Sequence, residues 1–172
     1  NGTLVITGSG DIWDWAAGDA DNTHGYSIFA NMDDKIKNII IEDGITGIGS
    51  ETFYYCGEAA SVKIPASVTV IGDSAFMGCK AMTEIVLPDG LTKIGNSAFE
   101  RCEGLITMDI PATVREIGYR AFFSCGNIDD MSIPDGVSVI DSMLFKGCKN
   151  LKTIELPVSA AEIHNNAFEG CH

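Results

Sequence analysis

Six cysteines hold most of the reactive chemistry in this sequence. They stand at Cys56, Cys79, Cys102, Cys125, Cys148 and Cys171, each 23 residues after the last. Thiols can cross-link, bind metal or act as nucleophiles. Equal spacing points elsewhere: side chains recurring at one interval, with no insertion or deletion, occupy equivalent places in stacked coils. Strands in a sheet lie about 4.8 Å apart, within the Cα separation a disulfide tolerates, so spacing alone leaves cross-linking open. Each Cys, however, follows a recurrent Phe by one short turn, where a small buried apolar group fits. Free Cys is among the most buried residue types. The expectation is a ladder of reduced, buried thiols. A row of thiolates one coil apart is not a tetrahedral cage, so no metal is expected.

The other reactive residues form no catalytic set. The histidines are His24, His164 and His172. There is no Gly-x-Ser-x-Gly elbow and no zinc motif. Asp and Glu are too abundant for any carboxylate pair to stand out as a glycosidase pair. Asp11, Asp14, Asp19 and Asp21 lack the Gly and terminal Glu of a calcium loop and read as a solvated acidic stretch. No catalytic residue and no cofactor is expected, and the chain reads as non-enzymatic.

Composition narrows the partners. The chain has 172 residues, 45% of them hydrophobic and 20% charged, which suits one ordered domain with a continuous core. Its formal net charge of −13 opposes binding to nucleic acid and to anionic membrane surfaces, because both reward Lys and Arg. No apolar run approaches the roughly 20 residues that span a bilayer, so no membrane insertion is expected. The sequence opens at Asn1 rather than Met and ends at His172 directly after Cys171, so it reads as part of a longer protein.

The elements that must position these groups follow from the same period. Six coils are expected, at 36–58, 59–81, 82–104, 105–127, 128–150 and 151–172. Ile39, Val62, Ile85, Met108, Met131 and Ile154 head one column. Two residues on come Ile41, Ile64, Leu87, Ile110, Ile133 and Leu156. A step of two is strand geometry, so segments such as 84–87 and 107–110 should be short strands with these side chains inward. Pro65, Pro88, Pro111, Pro134 and Pro157 stop the strand, with Glu42 in the first coil. A small residue follows, alternating between Gly44, Gly90 and Gly136 on one hand and Ser67, Thr113 and Ser159 on the other. That alternation suggests a two-coil duplication unit.

A second extended segment carries pairs such as Ile45/Ile48, Val114/Ile117 and Ala160/Ile163. It ends at Gly49, Gly72, Gly95, Gly118, Asp141 and His164. Gly, Asp and His tolerate positive φ, so a left-handed residue is expected there, giving His164 a structural role. A short helical turn closes each unit, centred on Phe53, Phe76, Phe99, Phe122, Phe145 and Phe168. These rings should stack in one aromatic spine. Residues 1–35 lack the repeat and read as an N-terminal cap. Thr3–Thr7 would pair with the first coil, and Trp13, Trp15, Tyr26 and Phe29 would cover the open core.

The unit Leu-x-x-Ile-x-Ile-Pro-x-x-Val-x-x-Ile-Gly-x-x-Ala-Phe-x-x-Cys-x-x resembles the BspA-like leucine-rich repeat over residues 36–172. The lead-in Asn1–Asp11 also looks like the segment that precedes such repeats in bacterial surface proteins. The resemblance implies an α/β-type leucine-rich-repeat solenoid, β-rich and right-handed, with six 23-residue coils and a parallel sheet on its concave side. It implies a secreted or surface-anchored extracellular bacterial protein. Some relatives are adhesins that bind host matrix proteins or other surface proteins. The expected function is an adhesin-like protein-binding module, and a structural spacer displaying other domains is the alternative. The chain is expected to be a monomer.

Two surfaces are candidate contact sites. Outward positions of the concave strand include Lys63, Glu84, Val86, Thr107, Asp109, Asp130, Ser132, Thr153 and Glu155. Near the turns, Tyr54, Tyr55, Met77, Tyr119 and Phe123 are large residues at positions the repeat leaves variable, and surface aromatics mark contact sites.

Overall fold

The computed structural model describes residues 2–13, 29, 32 and 34–171. Trp15 and Tyr26 lie outside them. The described chain is a β-solenoid in which every named strand pairing is parallel. Strands along one side are β1 (Thr3–Ile6), β3 (Asn38–Ile41), β5 (Ser61–Lys63), β9 (Asp130–Ser132) and β11 (Thr153–Glu155). A second side carries β2 (Gly10–Asp11), β4 (Ile45–Ile48), β6 (Val70–Ile71), β7 (Lys93–Ile94), β8 (Glu116–Ile117), β10 (Val139–Ile140) and β12 (Glu162–Ile163). Partners differ by the repeat length, as in Ile39↔Val62 and Ile71↔Ile94. The lead-in adds a layer of its own: β1 pairs with β3 and β2 with β4. Glu42 shows why the first coil lacks the proline. Its N–H donates to the Ile6 carbonyl at 3.0 Å, a bond proline cannot make.

The Phe column stacks as the period requires. Ring centroids from Phe53 to Phe168 are 5.2, 5.5, 5.8, 5.4 and 5.7 Å apart, with planes within 17° of parallel. Phe29 extends the spine, 5.9 Å from Phe53. The thiols sit beside it. Cys56 through Cys148 are buried, and Cys171 is partly buried. Each Sγ from Cys79 onward donates to the carbonyl of the Phe 26 residues earlier, at 3.0–3.4 Å. The same carbonyls accept the N–H of the Cys three residues on, as from Cys79 to Phe76. A small side chain with one weak donor is what this niche needs. Burial pushes the thiols of Cys79, Cys102 and Cys125 well up, and that of Cys148 up to about 12.

Three expectations are corrected. The turn around each Phe is not helical: among the described residues there is no helix, and the fold they form is a β-solenoid. The cause is that two residues per repeat are left-handed. One column is Glu51, Ser74, Ser97, Arg120, Met143 and Asn166; the other is Tyr55, Gly78, Arg101, Ser124, Gly147 and Gly170. The two left-handed residues stand four apart, on either side of the Phe turn, and every second N–H from one to the other points to the following coil. Ser97, Phe99 and Arg101 thus all donate to the next coil, at 2.8–2.9 Å. A helix would spend those donors within its own segment.

The glycine column is the second correction. Gly49, Gly72, Gly95 and Gly118 are not left-handed. They are small because the coils touch there. A Cβ on Gly72 would lie 2.6 Å from the Ser50 nitrogen, and one on Gly118 would lie 2.6 Å from the Asn96 nitrogen. The third correction concerns the first-side strands. Over 84–87 and 107–110 only the isolated bridges Lys63↔Val86 and Glu84↔Thr107 form. Core columns also loosen in the last repeat, where Leu156 and Ile163 are exposed.

The alternation of small residues has a physical basis. Hydroxyls in the second, fourth and sixth repeats reach back to carbonyls of the repeat before. Ser67 Oγ bonds Ile45 at 2.6 Å, Thr113 Oγ1 bonds Leu91 at 2.7 Å and Ser159 Oγ bonds Val137 at 2.8 Å. The repeats between them carry glycine instead.

One junction departs from the pattern. The second-side sheet runs β2-β4-β6-β7-β8 and stops, and β10-β12 is separate. The first side is also unpaired between 107–110 and β9. Thr69, Thr92, Arg115 and Ala161 each donate to the coil before, yet Ser138, the equivalent residue in the fifth repeat, has no such bond. The Phe side and the corner after it stay joined, the latter by the Asn150 N–H to the Gly126 carbonyl at 3.3 Å, and the Phe-side bonds lengthen from 2.8 Å at Ser124 to 3.1 Å at Phe122 and 3.3 Å at Arg120. The fifth coil therefore splays from the fourth at the glycine corner.

Three residues account for this. Asp141 replaces the glycine and puts a Cβ where coils touch. Tyr119 replaces the acceptor that Asp73 and Asn96 offer to the next coil's N–H at 2.8 and 3.0 Å. The Ser142 N–H turns instead to Asp141 Oδ1 at 2.6 Å. Arg115 folds its guanidinium onto the Ala112 and Val114 carbonyls and lies against Gly136. His164 occupies the next corner with its ring on Asp141, and that junction keeps its ladder.

Candidate functional site

The first-side strands present alternate residues outward. In the β3–β5–β9–β11 layer the inward members are Ile39, Ile41, Val62, Met131 and the half-buried Ile154, and the residues between them reach solvent to differing degrees. All nine residues predicted for this face are exposed, Val86 at 79%. The structure gathers six of them. Thr107, Asp109, Asp130, Ser132, Thr153 and Glu155 line a groove of 470 Å³ floored by Met108, Ile110 and Met131. Lys63, Glu84 and Val86 lie outside it, along the preceding repeats.

The groove sits at the open junction. The strand ladder that would close 107–110 onto 130–132 is absent, so the two segments part and a cleft forms between them. Its walls are acidic, with Asp109, Asp130 and Glu155 and no Lys or Arg among the lining residues. Two polar contacts brace the far wall: Thr153 Oγ1 bonds Asp130 Oδ1, and Ser132 Oγ bonds Glu155 Oε2 at 3.4 Å. Lys152 stands 3.6 Å from Asp129 just beside this wall. The arrangement offers carboxylate and hydroxyl oxygens to a ligand rich in donors or in positive charge. It holds no nucleophile activated by a base.

The turn-side aromatics fall into two clusters and not one patch. Tyr54 packs edge-on against Tyr55 at 4.6 Å, and Tyr55 lies against Gly78, with Arg101 Nη1 3.4 Å from its hydroxyl. Burial raises the Tyr54 pKa above its ordinary value. Three repeats on, the Arg120 guanidinium sits 4.0 Å from the Phe123 ring centre and 5.8 Å from that of Tyr119, and pairs at 2.8 Å with buried Glu100. Met77, which lies between these groups in sequence, is half-buried. Most of these side chains are spent on one another, and Tyr119 is the most exposed of them, at 38%.

Sequence reasoning passed over two sites. Trp13, expected to cover the core, is 82% exposed. His164 bonds Asp141 at 3.2 Å through Nδ1 and Glu162 at 3.0 Å through Nε2, and those bonds raise its pKa. The signal for His164 was present: Asp141 and His164 are the two non-glycine residues of one column, 23 apart.

Comparison with known proteins agrees with this architecture. The family described as BspA type leucine rich repeat region matches in six copies, over residues 22–140 and 46–172. No curated protein matches significantly. Among solved structures, the chain is similar to the leucine-rich repeat protein of T. pallidum, with 25% identity and a TM-score of 0.85, over 99% of this chain and 76% of that one. It is similar to a leucine-rich repeat protein from Bacteroides ovatus, with 34% identity and a TM-score of 0.72, over 78% of this chain and 35% of that one. The pneumococcal vaccine antigen PcpA aligns at 25% identity and a TM-score of 0.61, over 72% of this chain and 31% of that one. The chain thus spans about three quarters of one relative and about a third of the other two. With the match running across both ends of the repeat array, the chain belongs to the BspA-type leucine-rich repeat family.

Proposed function

We propose that this chain is a non-enzymatic, extracellular or surface-held binding module that contacts another protein through the acidic groove between the fourth and fifth repeats. The observation that carries this is the coincidence of six outward polar residues with the one junction where the ladder opens. An ordinary solvated sheet face has no such cleft. Membership of a family that includes surface proteins supports the location, and similarity to an antigen of a pathogen agrees with it. Among the described residues no helix is long and apolar enough to cross a membrane. The partners in view are host matrix proteins or other surface proteins with basic contact segments, because the groove walls carry only negative charge.

The test is biolayer interferometry of the immobilised chain against fibronectin and fibrinogen, at low and physiological salt. Saturable binding that falls at least about tenfold in the triple variant D109K/D130K/E155K is expected. Binding that survives the charge reversal would place the site elsewhere. Failure to bind either protein would favour a spacer role.

A further inference from the structure

We infer that Trp13 and the groove beside it form a saccharide-binding site, separate from the acidic groove on the first-side strands. A Trp with 82% of its surface exposed stands out among the described residues, whose other rings stack in the core or pack on neighbouring side chains. Its backbone is fixed. The Ile12 N–H bonds the Gly47 carbonyl at 2.9 Å, and the Trp13 carbonyl passes so close to Gly49 that a Cβ there would come within 2.4 Å. The indole is therefore presented from an anchored strand end.

Beside it lies a groove of 680 Å³ over β4 and β6. That volume falls in the range of about 300–1,000 Å³ typical of small-ligand sites. Its polar lining is rich in acceptors: the carboxylates of Asp11 and Asp73, the hydroxyls of Thr46, Thr69 and Ser50, and a single cation, Lys93. Each carboxylate is already oriented. Asp11 Oδ1 accepts from the Thr46 hydroxyl at 2.5 Å, and Asp73 accepts from the Asn96 N–H and Nδ2 at 2.8 and 3.0 Å. Lys93 is held by Glu116 at 2.8 Å.

The ligand chemistry follows from this set. An exposed indole face offers a flat, electron-rich platform for an apolar surface of matching shape. Oriented acceptors call for several donors on the ligand. Carboxylates already engaged by neutral donors, with a lysine among them, do not call for strong positive charge, and their own charge repels phosphate or sulfate. A neutral sugar meets all three conditions: an apolar C–H face, many hydroxyl donors and no charge. An arginine-rich peptide meets only the first two.

The test uses a microarray of neutral plant and bacterial glycans, followed by isothermal titration of the full chain with the oligosaccharides that bind. Binding of a neutral glycan is expected to fall at least tenfold in W13A, to be retained within threefold in W13F, and to change less than twofold between 50 and 500 mM NaCl. D109K/D130K/E155K should leave it unaltered, which separates this site from the acidic groove. The inference is overturned if no neutral glycan binds, if W13A binds as well as the parent, or if basic peptides bind here with steep salt dependence. Unchanged circular dichroism and thermal midpoint of W13A would confirm that any loss is not unfolding.

Discussion

Individual residues in this chain are chosen for the column they stand in. The cysteine column shows how. Each thiol is small enough for the space beside the phenyl spine, and from Cys79 onward each donates to a Phe carbonyl one coil back. Their pKa values are raised, so the buried thiols stay neutral where the unfolded chain's would ionise. Stability from this source is fully present below the unfolded value of about 9 and is lost as pH rises toward the folded value, about 12 for Cys148. Thermal midpoints measured from pH 7 to 11 should therefore be flat up to about pH 8 and then fall steeply. Replacing Cys79, Cys102, Cys125 and Cys148 together by Ala should flatten the alkaline limb. His164 has the opposite charge sense. Its pKa is raised by Glu162 and Asp141, so its contribution is present below the usual histidine range and fades as pH rises through the folded value. NMR titration should show its imidazole titrating above pH 6.5, and D141N should move it down.

The left-handed residues give a second prediction at this scale. Ser124 has φ near 58°, and Gly78, Gly147 and Gly170 already occupy its column. A non-glycine residue in this conformation costs about 1–2 kcal/mol. Ser124→Gly is expected to raise the thermal midpoint by about 2–4 °C, since about 1 kcal/mol has that effect in a chain of this size. A drop would mean that the Ser124 side chain contributes more than the backbone gains.

At the scale of elements, much was legible in the sequence, and the failures have causes. The period of 23 residues gave the two strand columns and the phenyl spine, because those depend only on which side chains are apolar and how far apart they stand. Asn-Ser-Ala-Phe-Glu-Arg contains no breaker, so the turn around each Phe reads as helical from sequence. Left-handed backbone at serine or arginine leaves no mark in composition. Gly72 and Gly95 suggest torsional freedom from their residue type, whereas interatomic space is the constraint. Trp13 reads as a cover for the open core only from its apolar bulk. The step of two in each strand already turns the six groove residues outward, but the cleft itself depends on Asp141, Tyr119 and Arg115, which lie on other faces of the coil.

That cause can be transplanted. Gly95→Asp would place a Cβ 2.5 Å from Asp73 Oδ1 and 2.6 Å from the Gly72 carbonyl carbon. It should open the junction between the second and third repeats and destabilise the fold by about 1–3 kcal/mol, as overpacking does. Urea denaturation would measure the loss, and an unchanged midpoint would count against steric closeness as the reason for glycine.

At the scale of the whole molecule, each coil is stabilised by the coils on either side, so stability is a sum over junctions. A junction held only along the Phe turn and the corner that follows it is the weakest, and the protein divides there into an N-terminal block and a C-terminal pair of repeats. Phe99→Ala in the middle of the spine should cost about 3–5 kcal/mol. The proposed binding cleft lies at the dividing line, which links partner binding to the least stable junction. A ligand spanning the fourth and fifth repeats would join the two blocks and raise the thermal midpoint.

Backbone amide hydrogen exchange followed by NMR tests this division most directly. The account predicts strong protection at Thr69, Thr92, Arg115 and Ala161, whose N–H groups bond the preceding coil, and fast exchange at Ser138 in the same column. Protection at Ser138 equal to that of its four counterparts would contradict it, because the ladder would then be continuous and the cleft would have no structural origin.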